Sequence, residues 1–145
     1  MERKEMMIRI IAASQRSAKC YKAIAKKHGF SERELMVVGW IMEMGPMSPT
    51  KMANMMHLSR STIQTVLDRF MKEGYMELVP EKGKKTKVLD FTEKGRKRAE
   101  LAKADVDAME ERVLDDLGGS NAHRVVSLTE RMAELIEKET KEQLK

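Results

Sequence analysis

Apolar residues recur at helical spacing over most of this chain and give way to an extended pattern once, between Met76 and Phe91. From Glu2 to His28, the positions Met7, Ile11, Ser14, Ala18, Tyr21 and Ala25 repeat at alternating steps of four and three. Ile8, Ile10 and Ile24 widen the stripe. That spacing predicts one long amphipathic helix with Gly29 as its stop, and such a stripe must be buried against something outside the helix. Ser31 with Glu34 three residues on forms a capping-box signature for a second helix. This helix runs to about Met44, ends at Gly45, and is so apolar (Leu35, Met36, Val37, Val38, Trp40, Ile41, Met42) that it is expected at the centre of the core.

Shorter elements follow. Ser48 caps a third helix with Pro49 at its first position, where the missing N–H costs little. Lys51–Met56 supplies only two turns, His57-Leu58 makes a turn, and Ser59 or Ser61 caps a fourth helix ending at Gly74. Met76–Val79 and Val88–Phe91 read as the two strands of a hairpin around a polar turn with Gly83. A hairpin this short must pack on the helices. Thr92 caps a helix over Glu93–Leu117, Gly118-Gly119 breaks it, and Ser120 or Asn121 caps a last helix to about Gln143. That last helix is striped by Val125, Leu128, Met132, Leu135 and Ile136. The class expected is mostly α with a small β-hairpin wing.

On the fourth helix, turning by about 100° per residue, Ile63, Val66, Leu67 and Phe70 share one face and point to a core. Opposite them lie Ser61, Thr65, Asp68 and Lys72, flanked by Thr62, Gln64 and Arg69. This face is rich in hydrogen-bonding groups and suits close approach to base edges. Gln64 matches adenine N6 and N7, the hydroxyls of Ser61, Thr62 and Thr65 match phosphates, base edges or a thymine methyl, and Arg69 and Lys72 suit backbone phosphates. Ser59 and Arg60 stand at the helix start, where free N–H groups favour a phosphate. Taken alone, such a face reads as an ordinary solvated one, as most amphipathic helices have. The two-turn helix before it and the basic hairpin after it favour DNA.

Charge sharpens this picture. The chain is net +5, and the excess is uneven: Met1–Thr92 is net +7 and Glu93–Lys145 is net −2. Lys82, Lys84, Lys85 and Lys87 crowd the hairpin tip. Clustered cations repel one another and are relieved by phosphates, with counterion release as the driving force. A basic patch does not choose among DNA, RNA and an anionic membrane, and a lysine-rich turn that merely keeps the protein soluble is the plainer alternative.

In this order, Ser48–Gly95 is a winged helix-turn-helix, and the chain resembles the MarR family of transcriptional regulators. LSRSTIQTVLDRFMKEGYMELV at Leu58–Val79 is similar to that family's recognition helix and first wing strand, and VLDFTEKG at Val88–Gly95 to its second wing strand and next helix start. The long flanking helices match the family's dimerisation ends. The resemblance implies a single domain over residues 1–145, with a DNA-binding lobe over 31–95 and dimerisation helices over 1–28 and 96–145. It implies a homodimer on a pseudo-palindromic double-stranded operator, and repression relieved by a small aromatic or phenolic effector. Tyr21, Trp40 and Met36 are the candidate lining of an effector cleft, although plain core or interface packing is the favoured reading for Tyr21 and for Trp40 taken singly. Two departures bear on specificity. Gly83, Lys84 and Lys85 stand where the family often has an Asp-Arg-Arg-like wing triplet, and lysine lacks arginine's planar fork. Thr65 stands where an arginine is common, which shifts base readout toward Gln64 and the hydroxyls.

Other chemistry is thin. Cys20 is the only cysteine, so no intrachain disulfide forms, which fits a cytoplasmic protein. On its helix Cys20 reads as a buried small residue, with redox sensing the lesser alternative. His28, His57 and His123 have no metal-ligand spacing; His57 is either an exposed turn residue or a phosphate contact. No phosphate loop, dinucleotide motif, nucleophile elbow or acid/base pair is present, so no cofactor and no enzyme activity are expected. The start, MERKEMMIRIIAAS, is too charged for a signal peptide, and no stretch is long enough to span a membrane. The principal alternative to a DNA-binding regulator is a winged-helix module that binds protein within a transcription assembly, without strong DNA affinity.

Overall fold

Side-chain caps set most of the helix starts in the computed structural model, which describes residues 1–145. Helix α1 spans Arg3–Lys27. Helix α2 (Glu32–Met44) begins with the expected capping box: Ser31 Oγ accepts from the Glu34 N–H at 3.1 Å, and Glu34 Oε1 accepts from the Ser31 N–H at 2.7 Å. Helix α3 (Pro49–Met56) is capped by Ser48, whose Oγ accepts from the Lys51 N–H. His57 ends it in the left-handed conformation, φ 53°, which makes the tight turn before helix α4 (Arg60–Lys72). Of the two serines considered for α4, Ser59 is the cap, accepting from the Thr62 N–H at 3.1 Å, and Ser61 lies inside the first turn.

Strands β1 (Met76–Pro80) and β2 (Lys87–Phe91) pair antiparallel, Met76 opposite Phe91 through Pro80 opposite Lys87. Each is one residue longer than its apolar run, because Pro80 and Lys87 close the ladder at the tip. A further bridge joins Met47 to Leu89, whose N–H donates to the Met47 carbonyl at 2.8 Å. The segment between α2 and α3 therefore pins the hairpin at the middle of β2.

Helices α5 (Glu93–Leu117) and α6 (Gly119–Gln143) complete the chain. Neither Ser120 nor Asn121 caps α6. The cap is Gly118, at φ 83°, a backbone conformation that glycine adopts without a Cβ clash. Asn121 lies one turn in, and its side-chain amide donates back to the Leu117 carbonyl at 2.9 Å.

The chain divides into two compact units, Met1–Val106 and Asp107–Lys145. In the first, Val37, Val38, Ile41, Met52, Ile63, Leu67, Phe70 and Leu89 form the centre of the core. Phe30, Phe70 and Tyr75 meet edge to face, at centroid distances of 5.5 to 6.3 Å, geometries favoured by the ring quadrupole. Helix α2 supplies core residues as expected, yet Met36 and Met44 are exposed: a 13-residue helix packed on one side cannot bury its whole circumference. Ion pairs add lateral ties. Lys103 Nζ meets Glu43 at 2.7 Å, and Asp105 Oδ2 is shared by Lys27 Nζ at 2.8 Å and His28 Nε2 at 2.7 Å.

The α1 stripe is only half used within the chain. Ala18, Tyr21, Ile24 and Ala25 are buried or half-buried, whereas Met6, Met7, Ile8, Ile10 and Ile11 are exposed. Cys20, expected inside, is exposed on the side of α1 away from Ala25. In the second unit, Val125, Val126, Leu128, Leu135 and Ile136 are exposed, and α6 has no buried residue. No helix is long and apolar enough to cross a membrane.

Candidate nucleic-acid interface

Helix α4 is amphipathic as its spacing predicts: Ile63, Leu67 and Phe70 are fully buried and Val66 half-buried, while Arg60, Ser61, Thr65, Asp68, Arg69 and Lys72 are exposed. The core face fixes the helix in the lobe, and the opposite face is left to meet a partner.

That opposite face is already organised by its own hydrogen bonds. At its start, Ser59 Oγ donates to Thr62 Oγ1 at 2.8 Å and lies 3.2 Å from Ser61 Oγ. Thr65 Oγ1 donates back to the Ser61 carbonyl at 3.2 Å. Along the middle, Arg60 Nη1 donates to Gln64 Oε1 at 2.8 Å, and Gln64 Nε2 donates to Asp68 Oδ1 at 2.6 Å. Side chains four apart on a helix are neighbours, so an Arg-x-x-x-Gln-x-x-x-Asp spacing is the signal for this ladder. Asp68 shares this face by its position, and the structure makes it the partner of Gln64.

Arg69 stands apart from the rest. Its Nη1 donates to Glu34 Oε1 at 2.9 Å, and the Glu34 side chain is only 3% exposed. The same Glu34 oxygen accepts from the Ser31 N–H, so one buried carboxylate both caps α2 and holds α4. A guanidinium compensating a buried charge has less freedom to follow a phosphate, and Arg69 therefore ties two helices together besides standing beside the outer face. Lys72 makes no ion pair and sits one turn further along.

The wing is a four-residue turn. Lys84 N–H donates to the Glu81 carbonyl at 3.0 Å, and Glu81 N–H to the Thr86 carbonyl at 3.0 Å. The Glu81 carboxylate accepts from Thr86 Oγ1 at 3.0 Å and from Lys84 Nζ at 3.2 Å, and these two bonds hold its acid below the usual carboxylate range. Lys82, Lys84, Lys85 and Lys87 are all exposed. Of the four, Lys84 is drawn to Glu81, while Lys82, Lys85 and Lys87 form no ion pair and project as unneutralised charge.

A winged helix is thus assembled from residues 30–91, with the polar face of one short helix and a basic hairpin emerging from the same lobe. The MarR family model matches residues 30–82, from just before α2 to the first residues of the wing turn. That segment carries the MarR family pattern.

Solved structures agree over far more of the chain. A MarR family regulator from Neisseria meningitidis superposes with a TM-score of 0.81 at 15% identity, covering 99% of each chain. A MarR/EmrR family regulator from Acinetobacter sp. ADP1 gives 0.78 at 14% identity, over 93% of this chain and 96% of that one. The Staphylococcus aureus MarR, solved with salicylate and kanamycin, gives 0.75 at 16% identity, over 93% of this chain and 92% of that one. At such identities the likeness is one of fold. No curated protein sequence matches the chain. The family is one of DNA-binding transcriptional regulators rather than enzymes.

The candidate effector residues are less gathered than those of the interface. Tyr21 on α1 and Trp40 on α2 are half-buried against the core, whereas Met36, one turn before Trp40, is 47% exposed. No cluster of histidine, cysteine and carboxylate side chains has the arrangement of a metal site.

Proposed function

We propose that this chain is a MarR-type regulator, a homodimeric, sequence-specific repressor acting on a pseudo-palindromic double-stranded operator in the cytoplasm. The observation that carries the reading is the pairing of an exposed, hydrogen-bonding α4 face with a wing whose Lys82, Lys85 and Lys87 have no anionic partner. Residues 31–95 form the DNA-binding lobe. Ser59, Arg60, Ser61, Thr62, Gln64 and Thr65 face the major groove, Lys72 meets backbone phosphate, and the wing lysines lie along the flanking backbone or minor groove. Arg69 contributes through the position of α4.

Residues 1–28 and 96–145 are the dimerisation segments. Supporting this, α1 leaves Met7, Ile8 and Ile11 exposed and α6 leaves Val125, Leu128 and Ile136 exposed. Apolar stripes of that extent are costly in water and are ordinarily covered by another copy. A small aromatic acid or phenol is the effector class, bound near Tyr21, Trp40 and Met36. The salicylate of the S. aureus structure belongs to this class. Release of DNA follows if the effector favours a spacing of the two lobes that does not match the operator.

The test is a titration with the DNA upstream of the protein's own gene across a salt series, alongside sedimentation to fix the assembly state. Sequence preference with a steep fall in affinity with salt, from a dimer, is the expected result. Binding without either property refutes the reading. A stable heteromeric partner with negligible DNA affinity would favour a protein-binding winged helix instead.

A further inference from the structure

On the reading that α4 enters the major groove, we propose that Gln64 is the adenine-reading residue and that Arg60 and Asp68 are positioning residues that fix its amide. A primary amide has two ends of similar shape, and a free glutamine presents either. Here the oxygen lies 2.8 Å from the Arg60 guanidinium, which only donates, and the nitrogen lies 2.6 Å from the Asp68 carboxylate, which accepts. Turning the amide over would set donor against donor and acceptor against acceptor. The two flanking residues thus select one orientation.

Each flanking bond uses half of what that end can offer. The amide nitrogen carries two N–H groups and gives one to Asp68; the oxygen has two lone pairs and gives one to Arg60. One donor and one acceptor remain, side by side on the same plane. Adenine offers the complement in the major groove, an acceptor at N7 and a donor at N6. Guanine offers two acceptors there, N7 and O6, so the amide oxygen would face O6 with no hydrogen between them.

Asp68 makes the arrangement selective rather than merely sticky. An exposed carboxylate on a DNA-facing helix repels phosphate, so it weakens binding to any duplex while it holds the amide for the correct base. Replacing it therefore separates affinity from discrimination, which a purely structural role would not do.

The experiment is selection from a randomised duplex library by the wild type, Gln64→Ala and Asp68→Ala, followed by titration of the best wild-type duplex and its single-base variants. The wild type is expected to select an adenine in each half-site, and exchange of that adenine for guanine, or for 7-deazaadenine, weakens it by at least about fivefold. Gln64→Ala loses preference at that position alone. Asp68→Ala binds random duplex as well as or better than the wild type, while its adenine-over-guanine ratio falls severalfold. Unchanged base preference in Gln64→Ala, or an unchanged ratio in Asp68→Ala, overturns the inference and leaves the DNA-binding reading intact. Absence of salt-dependent DNA binding by the wild type overturns both.

Discussion

Gly95→Ala is expected to destabilise the lobe by about 2–4 kcal/mol, although alanine is the better helix former. Gly95 sits in the first turn of α5, where the backbone of Tyr75 crosses it. A Cβ at this position would collide with the Tyr75 carbonyl oxygen and lie 2.6 Å from its carbonyl carbon and 2.8 Å from its Cα. Both obstacles are backbone, so no rotamer change relieves them. The first turn of α5 has to move, and three hydrogen bonds depend on it. Thr92 N–H donates to the Tyr75 carbonyl at 3.1 Å, Thr92 Oγ1 to the Gly74 carbonyl at 2.6 Å, and Gly95 N–H to Thr92 Oγ1 at 3.0 Å. Overpacking costs about 1–3 kcal/mol and each weakened bond about 0.5–1.5, offset by roughly 1 kcal/mol of helix propensity. Gly39→Ala is the matched control, because a Cβ there meets nothing within 4 Å; it should be neutral or stabilising by up to about 1 kcal/mol. Urea denaturation at one fixed protein concentration measures both, since association shifts apparent stability. Equal stability of Gly95→Ala and the wild type, or equal effects of the two alanines, would refute the close crossing.

Three further outcomes follow from the interface and its supports. Arg69→Ala should lower unfolding stability by about 1–2 kcal/mol, less than for a fully buried pair because Arg69 is 55% exposed, and should leave the salt slope of DNA binding nearly unchanged. A loss of slope without a loss of stability would make Arg69 a phosphate contact instead. Lys85→Ala should reduce the slope of log affinity against log salt by about one ion per protomer, and Lys84→Ala by less, because Lys84 is already paired with Glu81; equal effects would refute that distinction. Hydrogen bonds from Lys27 and then His28 hold the Asp105 acid below its ordinary value near 3.8. A depressed acid stabilises the fold above its unfolded value, and that contribution disappears as pH falls through the folded value. Asp105→Asn should therefore be less stable than the wild type near neutrality, and the gap should close below about pH 3.8; a pH-independent gap in urea midpoints would contradict this.

Much of the architecture was legible because it rests on local chemistry. Ser31 with Glu34, Ser48 with Pro49 and Thr92 with Glu93 mark helix starts through atoms only a few residues apart, and each marks a true start. The inward face of α4 followed from period alone. What escaped was set by contacts distant in sequence, or by backbone conformation with no side-chain sign. Glu34 lies in a helix that reads as almost wholly apolar, and nothing near it announces Arg69, 35 residues away, as its partner. Serine and asparagine after Gly118 looked like caps, but a glycine with positive φ ended one helix and began the next without them. The resemblance in the segment around Gly95 was visible as a motif, while its cause, a strand end lying against a helix start, exists only in three dimensions. The Arg60–Gln64–Asp68 ladder lies between these cases: its spacing is in the sequence, and its hydrogen-bond sense emerges once the helix is built.

The bridge between Met47 and Leu89 has a consequence for how such a chain diverges. It fastens the middle of β2 to the segment before α3, and the strand ladder closes at Pro80 and Lys87. The turn from Glu81 to Thr86 lies outside both and contributes nothing to the buried core. Its length and charge can drift without loosening the lobe, so the part exposed to selection by a partner is mechanically separate from the part selected for folding. Exchange of that turn between relatives is a substitution the scaffold should accept, with changed charge at the tip and an unchanged unfolding midpoint.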